Sequence, residues 1–211
     1  MRIQSFTLGS LATHCYIVAG QESAIAPAIA IDAGQNPDPM LDYLEQNRLT
    51  LTHILITHLH ADHICGVRAL AAGTQAQVLA SSLDAYLQNL DIGRGNGLGY
   101  PAVPPFSFEP LDPGRIELLG QPLLVLDTPG HTPGSLSFFF PRAGAVFVGD
   151  VLFQGSVGRT DVPGGDSPKL LRSIRERLFI LPNSTRVFPG HGQDTSIGRE
   201  KAENPFFQPP R

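Results

Sequence analysis

The chain has 211 residues, 42% hydrophobic and 16% charged, a balance that supports one sizeable core and excludes a disordered chain. A formal net charge of −4, with only 15 Lys and Arg, offers no basic field for nucleic acid. No apolar run approaches the ~20 residues of a membrane helix, and two cysteines, Cys15 and Cys65, are too few for a disulfide framework.

The opening residues alternate apolar with polar, a strand pattern over 2–8 rather than the apolar core of a signal peptide. That start points to a cytoplasmic protein. Further strands are predicted over 15–18 and 24–32, the last ending in the turn Asp32-Ala33-Gly34. Residues 37–49 carry Met40, Leu41 and Leu44 at helical spacing, with Asn36 as the expected N-cap. A short apolar strand over 53–56 runs into a His-rich turn, and a helix over 64–72 is expected to stop at Gly73. A strand over 77–80 and a helix over 82–90 follow, then a Gly- and Pro-rich loop over 91–105 of the kind that often forms the wall of a site. The second half repeats the theme, with strands over 115–119, 122–127, 135–140 and 145–148, a helix over 169–178 and a strand over 186–188. Strands in runs with helices after them predict two packed sheets with helices outside, within a single domain spanning 1–211.

The chemistry is concentrated at Thr57-His58-Leu59-His60-Ala61-Asp62-His63. Three imidazoles and a carboxylate within six residues, directly after a buried strand, make a metal-ligand cluster. In extended backbone His58 and His60 point the same way and can grip one metal together. A helix beginning near Ala61 turns Asp62 and His63 towards a second. Structural zinc sites are usually closed, four-ligand and rich in cysteine, so a cysteine-free set favours open catalytic sites. Three distant residues share one grammar, an apolar strand ending in a ligand at a glycine turn: His131 in Pro129-Gly130-His131, Asp150 in Gly149-Asp150, and His191 in Pro189-Gly190-His191-Gly192. His14 and His53 sit outside this grammar and read as structural or surface residues, and Cys65 as a packed one.

The cluster at 57–63, the segment Pro129-Gly130-His131-Thr132-Pro133-Gly134-Ser135, the Gly149-Asp150 turn and the Pro189-Gly190-His191-Gly192 turn together resemble the metallo-β-lactamase superfamily. The resemblance implies an α+β, four-layer αββα sandwich of two similar halves. It implies that His58, His60 and His131 hold a first metal, that Asp62, His63 and His191 hold a second, and that Asp150 bridges both. Two divalent ions are expected, zinc foremost, with iron or manganese also suited to these ligands. The stretch from Gly149 to Asp161, with Gly158-Arg159-Thr160-Asp161 at its end, and the segments Ser196-Ile197-Gly198-Arg199-Glu200 and Asn204-Pro205-Phe206 look like the short bacterial glyoxalase II-like proteins. That narrower likeness implies hydrolysis of a small-molecule thioester, S-lactoylglutathione or another hydroxyacylglutathione, by a metal-bound hydroxide. Asp62 is then expected to orient that hydroxide, and Arg159 to meet a substrate carboxylate. A mono-iron persulfide dioxygenase, an oxidoreductase that shares the Gly-Arg-Thr-Asp stretch, and a lactonase are the competing activities. No nucleic-acid or membrane partner is expected.

Overall fold

The computed structural model describes residues 1–20, 26–95 and 101–208. The chain divides into two compact units, Met1–Leu111 and Asp112–Arg211. The first is built on a six-stranded sheet in sequence order: β1 (Arg2–Leu8), β2 (Thr13–Ala19), β3 (Ala26–Ile31), β4 (Leu49–Leu55), β5 (Gln77–Ala80) and β6 (Glu109–Pro110). The first three strands pair antiparallel. From β3 to β6 the pairing is parallel, so helices must carry the chain back between strands. Helix α1 (Asp38–Gln46) crosses from β3 to β4, and α2 (Ala61–Ile64) and α3 (Val67–Thr74) lie between β4 and β5. Met40 and Leu44 of α1 and Val67 and Leu70 of α3 pack with Ile17, Ala28, Ala30, Leu51 and Ile54 in one buried cluster. Helix α4 (Asp91–Arg94) completes this unit.

The second unit repeats this plan. Its strands are β7 (Gly114–Leu118), β8 (Gln121–Asp127), β9 (Leu136–Phe140), β10 (Ala145–Gly149), β13 (Arg186–Pro189) and β14 (Thr195–Ser196), in the order β14-β13-β10-β9-β8-β7. An antiparallel meander gives way to one parallel pair, β10 with β13, bridged by α5 (Ser167–Ser173) and its continuation Ile174–Leu178. Leu170, Ile174 and Leu178 cover Val146, Val148 and Val187. A small hairpin, β11 (Leu152–Phe153) with β12 (Ser156–Val157), follows β10, and α6 (Ile197–Glu203) follows β14.

Two sheets with covering helices are thus present as the sequence predicted, with differences of detail. Asn36 does not cap α1: it sits at φ +57, in the left-handed region that Asn tolerates, and Pro37 takes the cap position with no side-chain bond. That helix stops at Gln46 rather than reaching 49, because Leu49 already begins β4. Gly73 does not end α3. It lies inside, where a Cβ would press on the Leu41 side chain at 3.1 Å, and the helix ends at Gln75 in a left-handed turn. The helix expected over 82–90 is a 3-10 segment, Ser82–Asn89, with Ser81 Oγ accepting from the amide of Leu83. The loop over 91–105 opens with α4, and its residues 96–100 lie outside the described residues, as do 24 and 25 of the third predicted strand. Among the described residues no helix is long and apolar enough to cross a membrane.

Candidate metal centre

Each unit gathers its own share of the predicted site residues. In the first, the β4 ladder is prolonged by Ile56, whose amide bonds the carbonyl of Leu79, and the chain then stays extended through His60 (φ −79, ψ 145) before α2 begins. The extended stretch brings His58 Nε2 to 3.0 Å from His60 Nδ1. Helix α2 then turns Asp62 and His63 to another side, with Asp62 Oδ2 3.3 Å from His63 Nε2. Bonds of ~2.05 Å in a tetrahedral zinc site put two ligand atoms about 3.3 Å apart, so both separations suit a pair of atoms sharing one ion. His58, His60 and His63 are all buried.

The surroundings fix which ring nitrogens carry protons. A carboxylate can only accept, so the 2.8 Å contact of His63 Nδ1 with Asp32 Oδ2 places the proton on Nδ1 and leaves the Nε2 lone pair beside Asp62. Asp32 also accepts from the amide of Thr57 through Oδ1 and from its hydroxyl through Oδ2, each at 2.8 Å. With its hydrogen committed there, Thr57 Oγ1 accepts from His58 Nδ1 at 3.1 Å, which leaves the His58 Nε2 lone pair facing His60. One buried carboxylate therefore sets the tautomers of two imidazoles, the outer arrangement that metal-ligating histidines almost always show.

Asp32 holds φ +56 at the end of β3, and its turn is laced to α2 by Ala33 N to His63 O at 2.9 Å and Gly66 N to Ala33 O at 2.8 Å. Gly34 permits this approach, since a Cβ there would stand 2.8 Å from the carbonyl oxygen of Asp62. On the other side Thr13 Oγ1 donates to Asp62 Oδ2 at 2.8 Å. Sequence reasoning missed Asp32, Thr57 and Thr13 as site residues. The only local signals were the turn 32–34 and the threonine opening the His-rich run.

The second unit supplies His131, Asp150 and His191 from three strand ends. Asp150 Oδ2 stands 3.8 Å from His131 Nε2 and 3.5 Å from His191 Nε2. Gly190 N donates to Gly149 O at 2.8 Å, which ties the turns bearing Asp150 and His191 together. His131 Nδ1 donates to the Arg159 carbonyl at 2.7 Å, so its Nε2 lone pair faces Asp150. The segment joining Asp150 to Arg159 folds back tightly: a Cβ on Gly158 would run into the Asp150 carbonyl oxygen. Buried Glu200 of α6 accepts from the amide of Gly155 at 2.9 Å and from Asn204 Nδ2 at 2.8 Å, and Thr195 also donates to it. The C-terminal helix thereby holds the hairpin that follows Asp150, which gives the segment 196–206 a structural task.

Arg159 is exposed, and its guanidinium makes two hydrogen bonds to Asp161, Nε to Oδ1 at 2.7 Å and Nη2 to Oδ2 at 2.9 Å. That pairing holds the Asp161 carboxyl down at about 2. His53 lies on β4 with Nδ1 2.9 Å from Thr52 Oγ1, and burial lowers its proton affinity. Cys15 and Cys65 are free thiols. Burial first and the Asp62 carboxylate second push Cys65 up to about 11, as befits a packed rather than a nucleophilic sulfur.

The family model described as metallo-β-lactamase superfamily matches residues 8–191. An uncharacterized protein of Mycobacterium tuberculosis is 36% identical, covering 99% of this chain and 98% of its own. The hydroxyacylglutathione hydrolase GloC of Haemophilus influenzae is 32% identical over 98% of both chains. Among solved structures, TTHA1623 in a di-iron-bound form has a TM-score of 0.85 at 38% identity, covering 96% of this chain and 99% of that one. The B3 metallo-β-lactamase BLEG-1 has a TM-score of 0.85 at 31% identity, covering 99% and 100%. ETHE1 of Myxococcus xanthus has 0.77 at 33%, covering 97% and 84%.

Proposed function

Because the chain belongs to the metallo-β-lactamase superfamily, whose fold binds divalent metals and whose members are mostly hydrolytic enzymes, we propose that it hydrolyses thioesters of the hydroxyacylglutathione type at a two-metal site. The observation that carries the substrate class is the 32% identity to a hydroxyacylglutathione hydrolase over 98% of each chain. His58, His60 and His131 would hold one metal, Asp62, His63 and His191 the other, and Asp150 both. The donor set fits: three imidazoles have a lone pair set on Nε2 by an outer partner, and the neighbouring carboxylate oxygens can only accept. Zinc suits these nitrogen and oxygen donors, as does iron, the metal in TTHA1623. Bound there, a pair of such ions lowers the pKa of water and polarises a carbonyl.

The residues of the chain supply the rest. Asp62, held through Oδ2 by the Thr13 hydroxyl, would orient the attacking water and take its proton. The Arg159 pair with Asp161 is exposed, and such pairs are worth little in water, so the guanidinium can exchange Asp161 for a carboxylate of the substrate. A thioester is apt because a thiolate leaves readily.

The test is release of free thiol from S-D-lactoylglutathione by metal-stripped protein, before and after zinc or iron is restored. Metal-dependent turnover with kcat/KM of about 10⁴ M⁻¹s⁻¹ or more supports the proposal. No turnover with either metal would overturn it. Oxygen uptake with glutathione persulfide, or opening of a lactone, would then identify the competing activity.

A further inference from the structure

Strand β2 begins with a residue that the sheet alone does not require. Thr13 pairs across from Leu8 and is fully buried, and the strand continues with the buried residues Cys15, Tyr16, Ile17, Val18 and Ala19. Valine has nearly the same shape, favours a strand as well and buries no polar atom, so a hydroxyl here needs a partner to offset its desolvation. That partner is Asp62, 49 residues further along the chain. The preceding turn, with Ala12 at φ +53 and its amide bonded to the Gly9 carbonyl at 3.2 Å, sets the direction in which β2 starts. Two residues on, Cys15 Sγ accepts from the amide of Gly34 at 3.0 Å, so β2 and the turn 32–34 approach the first turn of α2 together.

The bond reaches one particular atom. Asp62 Oδ2 takes the Thr13 hydrogen at 2.8 Å, and the same oxygen stands 3.3 Å from His63 Nε2. A carboxylate on a short exposed turn rotates freely about its last bond. Here the hydroxyl fixes the rotation of the carboxylate, with Oδ2 turned towards His63 Nε2. We propose that Thr13 is a positioning residue: its hydroxyl holds the Asp62 carboxylate in the orientation that lets Oδ2 and His63 Nε2 share a metal. The inference rests on the two-metal reading above and adds to it an outer partner for the second ion.

The experiment titrates cobalt(II) into the metal-stripped full-length chain, following the visible absorption of each equivalent and its heat of binding. Wild type, Thr13→Val, Thr13→Ser and, as a reference for the second ion, Asp62→Ala are compared. Thr13→Val is expected to bind one equivalent as wild type does and to hold the other about 10–100-fold more weakly, the usual cost of losing an outer partner. The weakened equivalent is the one that Asp62→Ala loses, and Thr13→Ser, which keeps the hydroxyl, restores it. Wild-type affinity for both equivalents in Thr13→Val would overturn the positioning role and leave the two-metal reading intact. Equal weakening of both, with a lower melting temperature of the metal-free protein, would also overturn it by making Thr13 a packing residue. A wild-type chain that takes up a single equivalent would overturn the two-metal reading and this inference with it. If Thr13→Val does not fold, Thr13→Ala is read by the same titration and the same criteria.

Discussion

The two units present their site residues by different means. In the first, four candidate ligands fall within six residues of one strand-to-helix junction, and side chains hold three of them: Asp32 on His63, Thr57 on His58 and Thr13 on Asp62. In the second, His131, Asp150 and His191 come from three separate strand ends, and backbone holds them. A carbonyl takes the His131 proton, an amide-to-carbonyl bond ties two turns, and glycine lets the chain pass close. A side-chain scaffold can be altered one functional group at a time. A backbone scaffold yields only to substitutions that move the chain.

The largest effect expected is common to both units. His58→Ala and Asp150→Ala each remove a proposed ligand, and activity should fall by about a thousandfold or more, beyond the 10–100-fold typical of an outer partner. The circular-dichroism melt of the metal-free protein should be nearly unchanged. Retained turnover in either variant would sink the two-metal assignment. Next comes a substitution aimed at the backbone-held half. Gly130 sits at φ +135, and a Cβ there would collide with the backbone of Leu170 on α5. Gly130→Ala should therefore cost the second unit more than about 2 kcal/mol, seen as a drop in its denaturant midpoint. A neutral result would mean that the turn carrying His131 is adaptable and the contrast between the units is false.

The side-chain half is probed by Asp32→Asn. Asparagine keeps the size and tolerates φ +56, and its carbonyl can still accept from Thr57. Its amide offers a donor to His63 Nδ1, however, and that ring would answer by moving its proton to Nε2, the side facing Asp62. Metal affinity should drop about 10–100-fold while the fold persists. A metal titration indistinguishable from wild type would show that Asp32 does not set the tautomer. No comparable exchange exists for His131, whose partner is a main-chain carbonyl.

This contrast also explains what the sequence made legible. The strands over 2–8 and 77–80 were read to the residue, and the candidate ligands of the first unit stood out because residues of ligand type are rare and these are adjacent. The dispersed candidates were visible only through a shared pattern of apolar strand and glycine turn. Their supports were not, since Asp32 meets His63 across 31 residues and Thr13 meets Asp62 across 49. Such pairs depend on which strands neighbour one another, and periodicity gives a strand without giving its neighbours. Gly73 and Asn36 were misread for a related reason. Each looked like a punctuation mark, but one makes room for Leu41 of α1 and the other turns the chain ahead of the true cap. Helix α6 was missed because Gly198 weakens its local signal. Tertiary bonds through Glu200 and Asn204 to the hairpin secure it instead.

The smallest effect expected tests whether backbone and side chain can be separated within one residue. The Arg159 carbonyl supports His131, while its side chain reaches outward to Asp161. Arg159→Ala keeps the carbonyl and deletes the guanidinium, so kcat and metal content should stay near wild type. Stability should stay near that of wild type, since exposed ion pairs contribute little. The change should appear in KM for a glutathione thioester, raised several-fold, and not for a neutral short-chain thioester. Because the Asp161 carboxyl is lowered to about 2, the pair is fully formed above the ordinary carboxylate range and is lost only as pH falls towards 2. The KM difference should thus be constant between about pH 5 and pH 9, where neither partner titrates. Equal KM for both substrates would remove Arg159 from substrate recognition and leave it the carrier of one carbonyl. A fall in metal content would show instead that the side chain steadies the segment on which His131 depends.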